Sequence, residues 1–210
     1  MQDRRLLAVI LLLACGAVPS LVAQDAPPPK GLEIVKNPTR RSGFWGSMGF
    51  GIGSETFTVP AGAPDPGWVV SPTFNMRAGG TPDIHFRLGG ELISWYNGSG
   101  EFNQSLGGMA GIGEIFPSTT VGFFLKGGGG FAWNSFSQDY YCYYYYYCVG
   151  YGYNYDTGFM WTAGAGWEIP ISRTLNIMPT VDYYEFYFGS RYTGDYTERL
   201  WNFGLSIEIP

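Results

Sequence analysis

The 210-residue chain carries 12 Lys and Arg against 17 Asp and Glu, a formal net charge of −5 that speaks against a nucleic-acid partner. Charged residues make up only 14% and aromatics 18%, and glycine occurs 32 times, a balance unlike that of an average soluble protein. Beyond the N-terminal segment no apolar run is long enough for a membrane helix, so the apolar surface has to be distributed by alternation.

Residues 1–23 have the layout of a secretory signal peptide: Arg4 and Arg5, an apolar run from Leu6 to Ala14, and Leu21-Val22-Ala23 ahead of a cut before Gln24. Two other readings stand beside it. One is an uncleaved membrane helix, which Gly16 and Pro19 would interrupt. The other is lipidation at Cys15, because Leu12-Leu13-Ala14-Cys15 loosely resembles a lipobox. Residues 24–41 are polar and Pro-rich, and read as a flexible periplasmic leader. The remainder, 42–210, is one domain.

Within that domain the sequence alternates with period two, which is strand periodicity. In 42–53, Phe44, Met48, Phe50 and Ile52 share one parity, with Gly46 among them, and Trp45, Ser47 and glycines the other. Segment 67–78 sets Trp68, Val70, Pro72, Phe74 and Met76 outward against Ser71, Thr73, Asn75 and Arg77. In 82–96, Ile84, Phe86, Leu88, Leu92 and Tyr96 oppose Asp83, His85, Arg87, Glu91 and Trp95. Segment 104–115 carries the weakest pattern, with Leu106, Ala110 and Ile112 outward against Ser105, Gly107, Met109 and Gly111. In 119–133, Val121, Phe123, Leu125, Phe131 and Trp133 oppose Thr120, Phe124 and Lys126. In 158–169, Phe159, Trp161, Ala163, Ala165, Trp167 and Ile169 oppose Thr162, Gly164, Gly166 and Glu168. In 173–187, Leu175, Ile177, Val181 and Tyr183 oppose Asn176, Thr180 and Asp182. The last, 199–209, sets Trp201, Phe203, Leu205, Ile207 and Ile209 against Asn202, Gly204, Ser206 and Glu208.

Each segment has the length of a tilted strand crossing a bilayer, and their number is even. Short connections (79–81, 116–118, 170–172) alternate with long ones (54–66, 97–103, 134–157, 188–198), as periplasmic turns and outer loops do in such barrels. A soluble sandwich or lipocalin-like barrel would also alternate, but its polar side would have to coat the surface. Here that side is mostly Gly, Ser, Thr and Asn. The expected fold is all-β: an eight-stranded antiparallel transmembrane β-barrel.

The stretches "GFWGSMGFGIG" after a leader, "FRLGGELISWY" in the third strand and "LWNFGLSIEI" as the closing strand resemble the small eight-stranded outer-membrane barrels of Gram-negative bacteria, the OmpA/OmpX-type superfamily. The resemblance covers about residues 42–210 and implies an outer-membrane location, with outer-membrane lipid as a partner. It leaves the activity open, since this fold hosts adhesins, anchors and a few enzymes. The chain departs from the family in ending Ile209-Pro210, where such barrels commonly finish on an aromatic residue.

Parity sends Arg77, His85, Arg87, Glu91, Lys126, Glu168, Asp182 and Glu208 inward. An eight-stranded lumen is only wide enough to be filled by side chains, so these charges must pair. We expect a lumenal network of Arg77, Arg87, Glu91, Lys126, Glu168 and Asp182, with Arg87, Glu91, Lys126 and Asp182 as its plug. The competing reading is a narrow, porin-like conduit gated by the same ion pairs. A lipid-modifying enzyme would need a nucleophile beside a base. The lone histidine, His85, reads instead as a partner of Asp83 or a lumen residue. No zinc spacing is present, and "GGGG" at 127–130 lacks the context of a phosphate loop. No catalytic residue, metal or cofactor is expected.

The most unusual stretch is "DYYCYYYYYCVGYGYNY", 139–155. Cys142 and Cys148 are an even pair in an exported chain and read as a disulfide around Tyr143, Tyr144, Tyr145, Tyr146 and Tyr147. Presented on an outer loop, these tyrosines would form a binding surface for an extracellular protein or glycan. The alternative is a stiff loop in an aromatic girdle. The expected function is structural or adhesin-like, in a monomer with no nucleic-acid partner.

Overall fold

The structure, a computed structural model, describes residues 41–58, 67–98, 102–138, 153–172, 174–190 and 194–210. The strands are β1 (Gly43–Thr58), β2 (Val69–Asp83), β3 (Phe86–Asn97), β4 (Phe102–Ile115), β5 (Phe123–Gln138), β6 (Tyr153–Trp167), the two-residue β7 (Ile169–Pro170), β8 (Asn176–Ser190) and β9 (Gly194–Ile209). β7 continues β6 past Glu168, and both pair with β8, so the wall has eight strands. Every pairing is antiparallel, and β1 pairs with both β2 and β9, which closes the barrel.

The register defines the geometry. Stepping from partner to partner, Gly46 leads to Ala78, Gly90, Gly111, Gly129, Trp161, Glu185 and Arg199, and back to β1 at Thr56. The return point lies ten residues further up the same strand. With a rise of about 3.3 Å per residue and strands about 4.8 Å apart, that stagger tilts the strands by about 41°. The backbone radius is then about 8 Å, wide enough for side chains and little else.

Alternation sorts the side chains as expected on seven of the eight wall strands. Phe44, Phe50, Ile52, Val70, Leu88, Phe131, Phe159, Phe203, Leu205 and Ile207 are exposed on the outer face, while Trp45, Asn75, Arg77, Arg87, Thr162, Asp182 and Asn202 are buried within. β4 is the exception, and its expected parity is reversed. Leu106, Ala110 and Ile112 are buried in the lumen, and Met109 is exposed outside. The reason is that β4 is outwardly nearly bare. Gly111 and Gly113 face out, and the Trp133 indole lies across Gly107, where an added Cβ would collide with it. The strand's bulky apolar residues therefore fill the inside.

Three other expectations are corrected. The β2–β3 connection is not at 79–81. Gly79 and Gly80 lie within β2, and the Trp45 Nε1 donates to the Gly80 carbonyl at 3.3 Å. The chain reverses at Ile84-His85, where Asp83 Oδ1 accepts the His85 backbone N–H at 2.9 Å in an Asx-type turn. His85 is thus exposed at the turn and not lumenal, with its Nδ1 2.9 Å from the Phe116 carbonyl oxygen. At the opposite end the strands run further than expected: β1 reaches Thr58, β5 reaches Gln138 and β6 starts at Tyr153, while β8 and β9 stay paired to Ser190 and Gly194.

"GGGG" serves packing. A Cβ on Gly128 or Gly130 would run into the β4 backbone at Gly111 or Met109. These residues let β4 and β5 approach closely.

Candidate functional site

Alternation delivers one polar or aromatic side chain per strand to each level of the lumen, and the stagger decides which ones meet. At the lower mouth, Arg41 enters from below β1. Its Nε donates to Glu168 at 2.9 Å, its NH groups reach the carbonyls of Ser118 and Val121 at 3.3 Å, and its guanidinium lies 3.9 Å from the Phe116 ring centre. One level up, Arg87 contacts Glu168 at 2.6 Å, Glu208 at 2.8 Å and Glu114 at 3.7 Å. Asn176 adds a donor to Glu208 at 2.9 Å.

Above this, Arg77 pairs with Glu91 at 2.8 Å and Asp182 at 2.9 Å, and stands 3.8 Å from Glu114. Lys126 closes the square, reaching Glu91 at 2.6 Å and Asp182 at 2.8 Å. The Tyr184 hydroxyl donates to Glu91 at 3.0 Å. Glu91 thus takes two cations and a phenol, and Asp182 two cations. In a low-dielectric lumen that completeness is what makes buried charges tolerable.

All six residues expected in the network, Arg77, Arg87, Glu91, Lys126, Glu168 and Asp182, lie inside the barrel, buried and paired. They form two linked layers, however. Arg87 and Glu91, four apart on β3, belong to different layers and do not pair. Glu208, sent inward by parity but left out of the six, joins them through Arg87, and two further members were not foreseen inside. Glu114 was hidden by the reversed parity of β4, although Gln104 and Glu114 share that parity and neither belongs in hydrocarbon. Arg41 was assigned to the leader, yet it is buried in the lower mouth.

Over the ion layers sits an apolar one, built from Trp95, Leu106, Met160, Phe186, Phe188 and Leu200. Tyr184, Phe186, Phe188 and Tyr196 stack along it with centroids 6.2, 6.3 and 5.2 Å apart. Above the apolar layer the lumen turns polar again. Glu198 Oε1 accepts from Asn134 Nδ2 and from Gln104 Nε2, and Tyr196 donates to Asp156 at 2.9 Å. Glu55 faces inward on β1 at this level, fully buried.

The exterior completes the picture. From Trp201 to Ile209 the outward face of β9 is apolar over about 20 Å of height, close to the ~25 Å band of a bilayer-spanning barrel. Trp161, Tyr183 and Trp201 form a row at its upper margin, with centroids 5.2 and 4.9 Å apart. Just above, Arg199 bonds Glu185 at 2.9 Å, and the Trp161 indole donates to the same carboxylate at 3.0 Å. Amphipathic rings at the edge of an apolar band mark a membrane interface.

Among the described residues no three His, Cys, Asp or Glu side chains converge on a metal site. Cys142, Cys148 and Tyr143, Tyr144, Tyr145, Tyr146 and Tyr147 lie outside the described residues.

No protein-family model matches the sequence, and no curated protein matches it significantly. Solved structures do. Neisserial surface protein A matches at a TM-score of 0.56 and 12% identity, over 80% of this chain and 97% of that one. Ail, the attachment invasion locus protein of Yersinia pestis, matches at a TM-score of 0.51 and 13% identity, over 80% of this chain and 99% of that one. At such identities the likeness establishes the fold, that of the small eight-stranded outer-membrane barrels. The exposed apolar band agrees with that fold, an eight-stranded barrel of the membrane-spanning kind.

Proposed function

We propose that this outer-membrane barrel is a sealed, rigid anchor in a Gram-negative cell, presenting its extracellular hairpins as a binding surface. The observation that carries the reading is the filled lumen. Arg77, Glu91, Lys126 and Asp182 have side chains with no exposed area, and an aromatic layer lies directly over them. A conduit needs a path for hydrated solute, and a radius of about 8 Å already occupied by stacked rings leaves none.

The strands continue above the aromatic row as paired ribbons. β5 and β6 remain hydrogen-bonded up to Ser137 and Tyr153, eight residues beyond Trp161. At a tilt of about 41° that raises the wall by about 20 Å over the membrane interface. Such height suits a presenting scaffold. The connection carried there holds Tyr143–Tyr147, and tyrosine offers large, rigid contact area at low entropic cost. A partner of this class is an extracellular protein or glycan, with outer-membrane lipid around the wall and the barrel acting as a monomer. The name of Ail, an attachment protein, supports a surface role for one barrel of this fold. A catalytic role lacks such support: His85 sits at a turn, its ring against a backbone carbonyl.

The test is adhesion. Cells displaying the protein should bind matrix proteins or a glycan array, and replacing residues 142–148 with Gly and Ser should abolish that binding at unchanged surface level. Binding that survives the replacement would refute the loop's role. Steady conductance in planar bilayers, lost on changing Arg87 or Glu91, would favour the conduit.

A further inference from the structure

The inner face of the wall is bare where β1 meets β9. Gly51 and Gly204 are register partners there, with Thr73 beside Gly51 on β2 and Thr180 beside Gly204 on β8. On β1 neighbouring side chains take up the space. A Cβ on Gly49 would collide with the Ser206 hydroxyl, and one on Gly51 would stand 2.6 Å from Asn202 Oδ1 and 2.7 Å from Thr73 Oγ1. Gly204 differs. The nearest atoms to its Cβ position are Thr180 Oγ1 at 3.0 Å and the Nδ2 atoms of Asn75 and Asn202, each at 3.4 Å, and all three are polar.

These atoms share a second property. Asn75 and Asn202 are fully buried and Thr180 is 4% exposed, yet Thr180 Oγ1 and both Nδ2 atoms have no hydrogen-bond partner among the described residues. The amides are not free to turn away. Ser206 donates to Asn75 Oδ1 at 3.1 Å and Thr73 donates to Asn202 Oδ1 at 2.6 Å, which leaves the N–H ends for the space over Gly204. The nearest alternative for the Thr180 hydroxyl is Asp182, two residues along the same face, and turning its hydrogen there still leaves the oxygen's lone pairs unused. Buried polar groups left in this state are costly.

One occupant has to answer two amide donors and one hydroxyl. The amide hydrogens repel a cation. An anion would enter a lumen whose ion-layer carboxylates (Glu91, Glu114, Glu168, Asp182 and Glu208) already outnumber the cations (Arg41, Arg77, Arg87 and Lys126). An apolar group offers no acceptor. We propose that the space over Gly204 is a binding site for a single water molecule, which accepts from Asn75 and Asn202 and donates to Thr180. Three partners are what a buried water ordinarily has. The water bridges the closing seam of the barrel from within, since Asn75 lies on β2 to one side of β1, and Asn202 and Thr180 lie on β9 and β8 to the other.

The experiment is a crystal structure of the full-length protein refolded in detergent, at a resolution that shows ordered water, joined to urea unfolding of Gly204→Ala and Gly204→Ser. The expected map has a peak over Gly204 within hydrogen-bond distance of Thr180 Oγ1 and both Nδ2 atoms, and Gly204→Ala removes it. Alanine and serine bring the same Cβ, so its steric cost cancels between them. Only serine returns a hydroxyl to the three groups. Gly204→Ser should therefore unfold at a urea midpoint about 0.5–1 M above that of Gly204→Ala. A wild-type map without the peak would overturn the site. So would an alanine variant as stable as the serine variant, because the three groups would then need no partner. If neither variant folds, the wild-type map decides alone.

Discussion

Replacing Lys126 with methionine keeps the length and shape of the side chain and removes only its charge. Lys126 reaches both oxygens of Glu91, at 2.6 and 2.9 Å, and Asp182 at 2.8 Å, with no exposed area. In the square of Arg77, Lys126, Glu91 and Asp182 the charges balance two against two. The variant leaves Arg77 alone against two buried carboxylates, a net charge in a medium that cannot solvate it. Breaking a buried pair in this way costs about 3–5 kcal/mol. At a urea m-value of about 2 kcal/mol/M, a loss of 4 kcal/mol lowers the unfolding midpoint by about 2 M. The assay is equilibrium unfolding of the barrel refolded into phospholipid vesicles, followed by tryptophan fluorescence. The double variant Lys126→Met with Asp182→Asn restores balance and should recover about 1–3 kcal/mol of the loss, the coupling expected of contacting residues. A single variant that loses less than about 1 kcal/mol, or a double variant whose losses simply add, would refute the reasoning, because the square would then contribute nothing as a unit.

Gly130 and Gly111 offer a contrast within one β4–β5 ladder. Alanine at Gly130 would drive its Cβ into the Met109 carbonyl and should sharply reduce the fraction reaching the heat-modifiable folded band, whereas alanine at Gly111, which meets nothing within 4 Å, should change stability by less than about 0.5 kcal/mol. Arg41→Ala should cost about 1–3 kcal/mol by leaving Glu168 short of one charged donor and two carbonyls short of theirs, measurable as a lower urea midpoint. Planar bilayers should show no steady single-channel current for the wild type, and Arg77→Ala should destabilise the barrel before it opens a pore.

The alternation carried most of the architecture, and for a physical reason: a wall one residue thick between lipid and lumen leaves each side chain only two addresses. Where one address was filled by glycine, as along β4, the pattern inverted, and only Gln104 and Glu114 on the buried parity betrayed the true direction. The identity of the lumenal partners was less legible. Arg87 lies near Glu91 in sequence, yet it bonds Glu208 on β9 and Glu168 just beyond β6. That pairing depends on the ten-residue stagger around the barrel, a global quantity that no single segment encodes. Strand ends were misjudged for a similar reason. Pairing between neighbours such as Ser137 and Tyr153 extends a strand beyond the point where lipid demands alternation. Arg41 escaped notice because an arginine in a polar, Pro-rich stretch carries no sign of the barrel mouth that receives it.

The seam between β1 and β9 has a consequence for how the molecule comes into being. Its register runs from Gly46 opposite Ile209 to Thr58 opposite Thr197, residues at opposite ends of the domain, while every other wall pairing is between consecutive strands. Hairpins can form locally and early, but the seam needs the whole chain, and its loop-closure entropy is the largest in the fold. Until it forms, two strand edges face hydrocarbon with unsatisfied N–H and C=O groups, which a bilayer tolerates poorly. A nascent sheet one strand short would therefore offer a template for a neighbouring chain as readily as for its own last strand. Residues 194–209 thus decide between a closed cylinder and an aggregate.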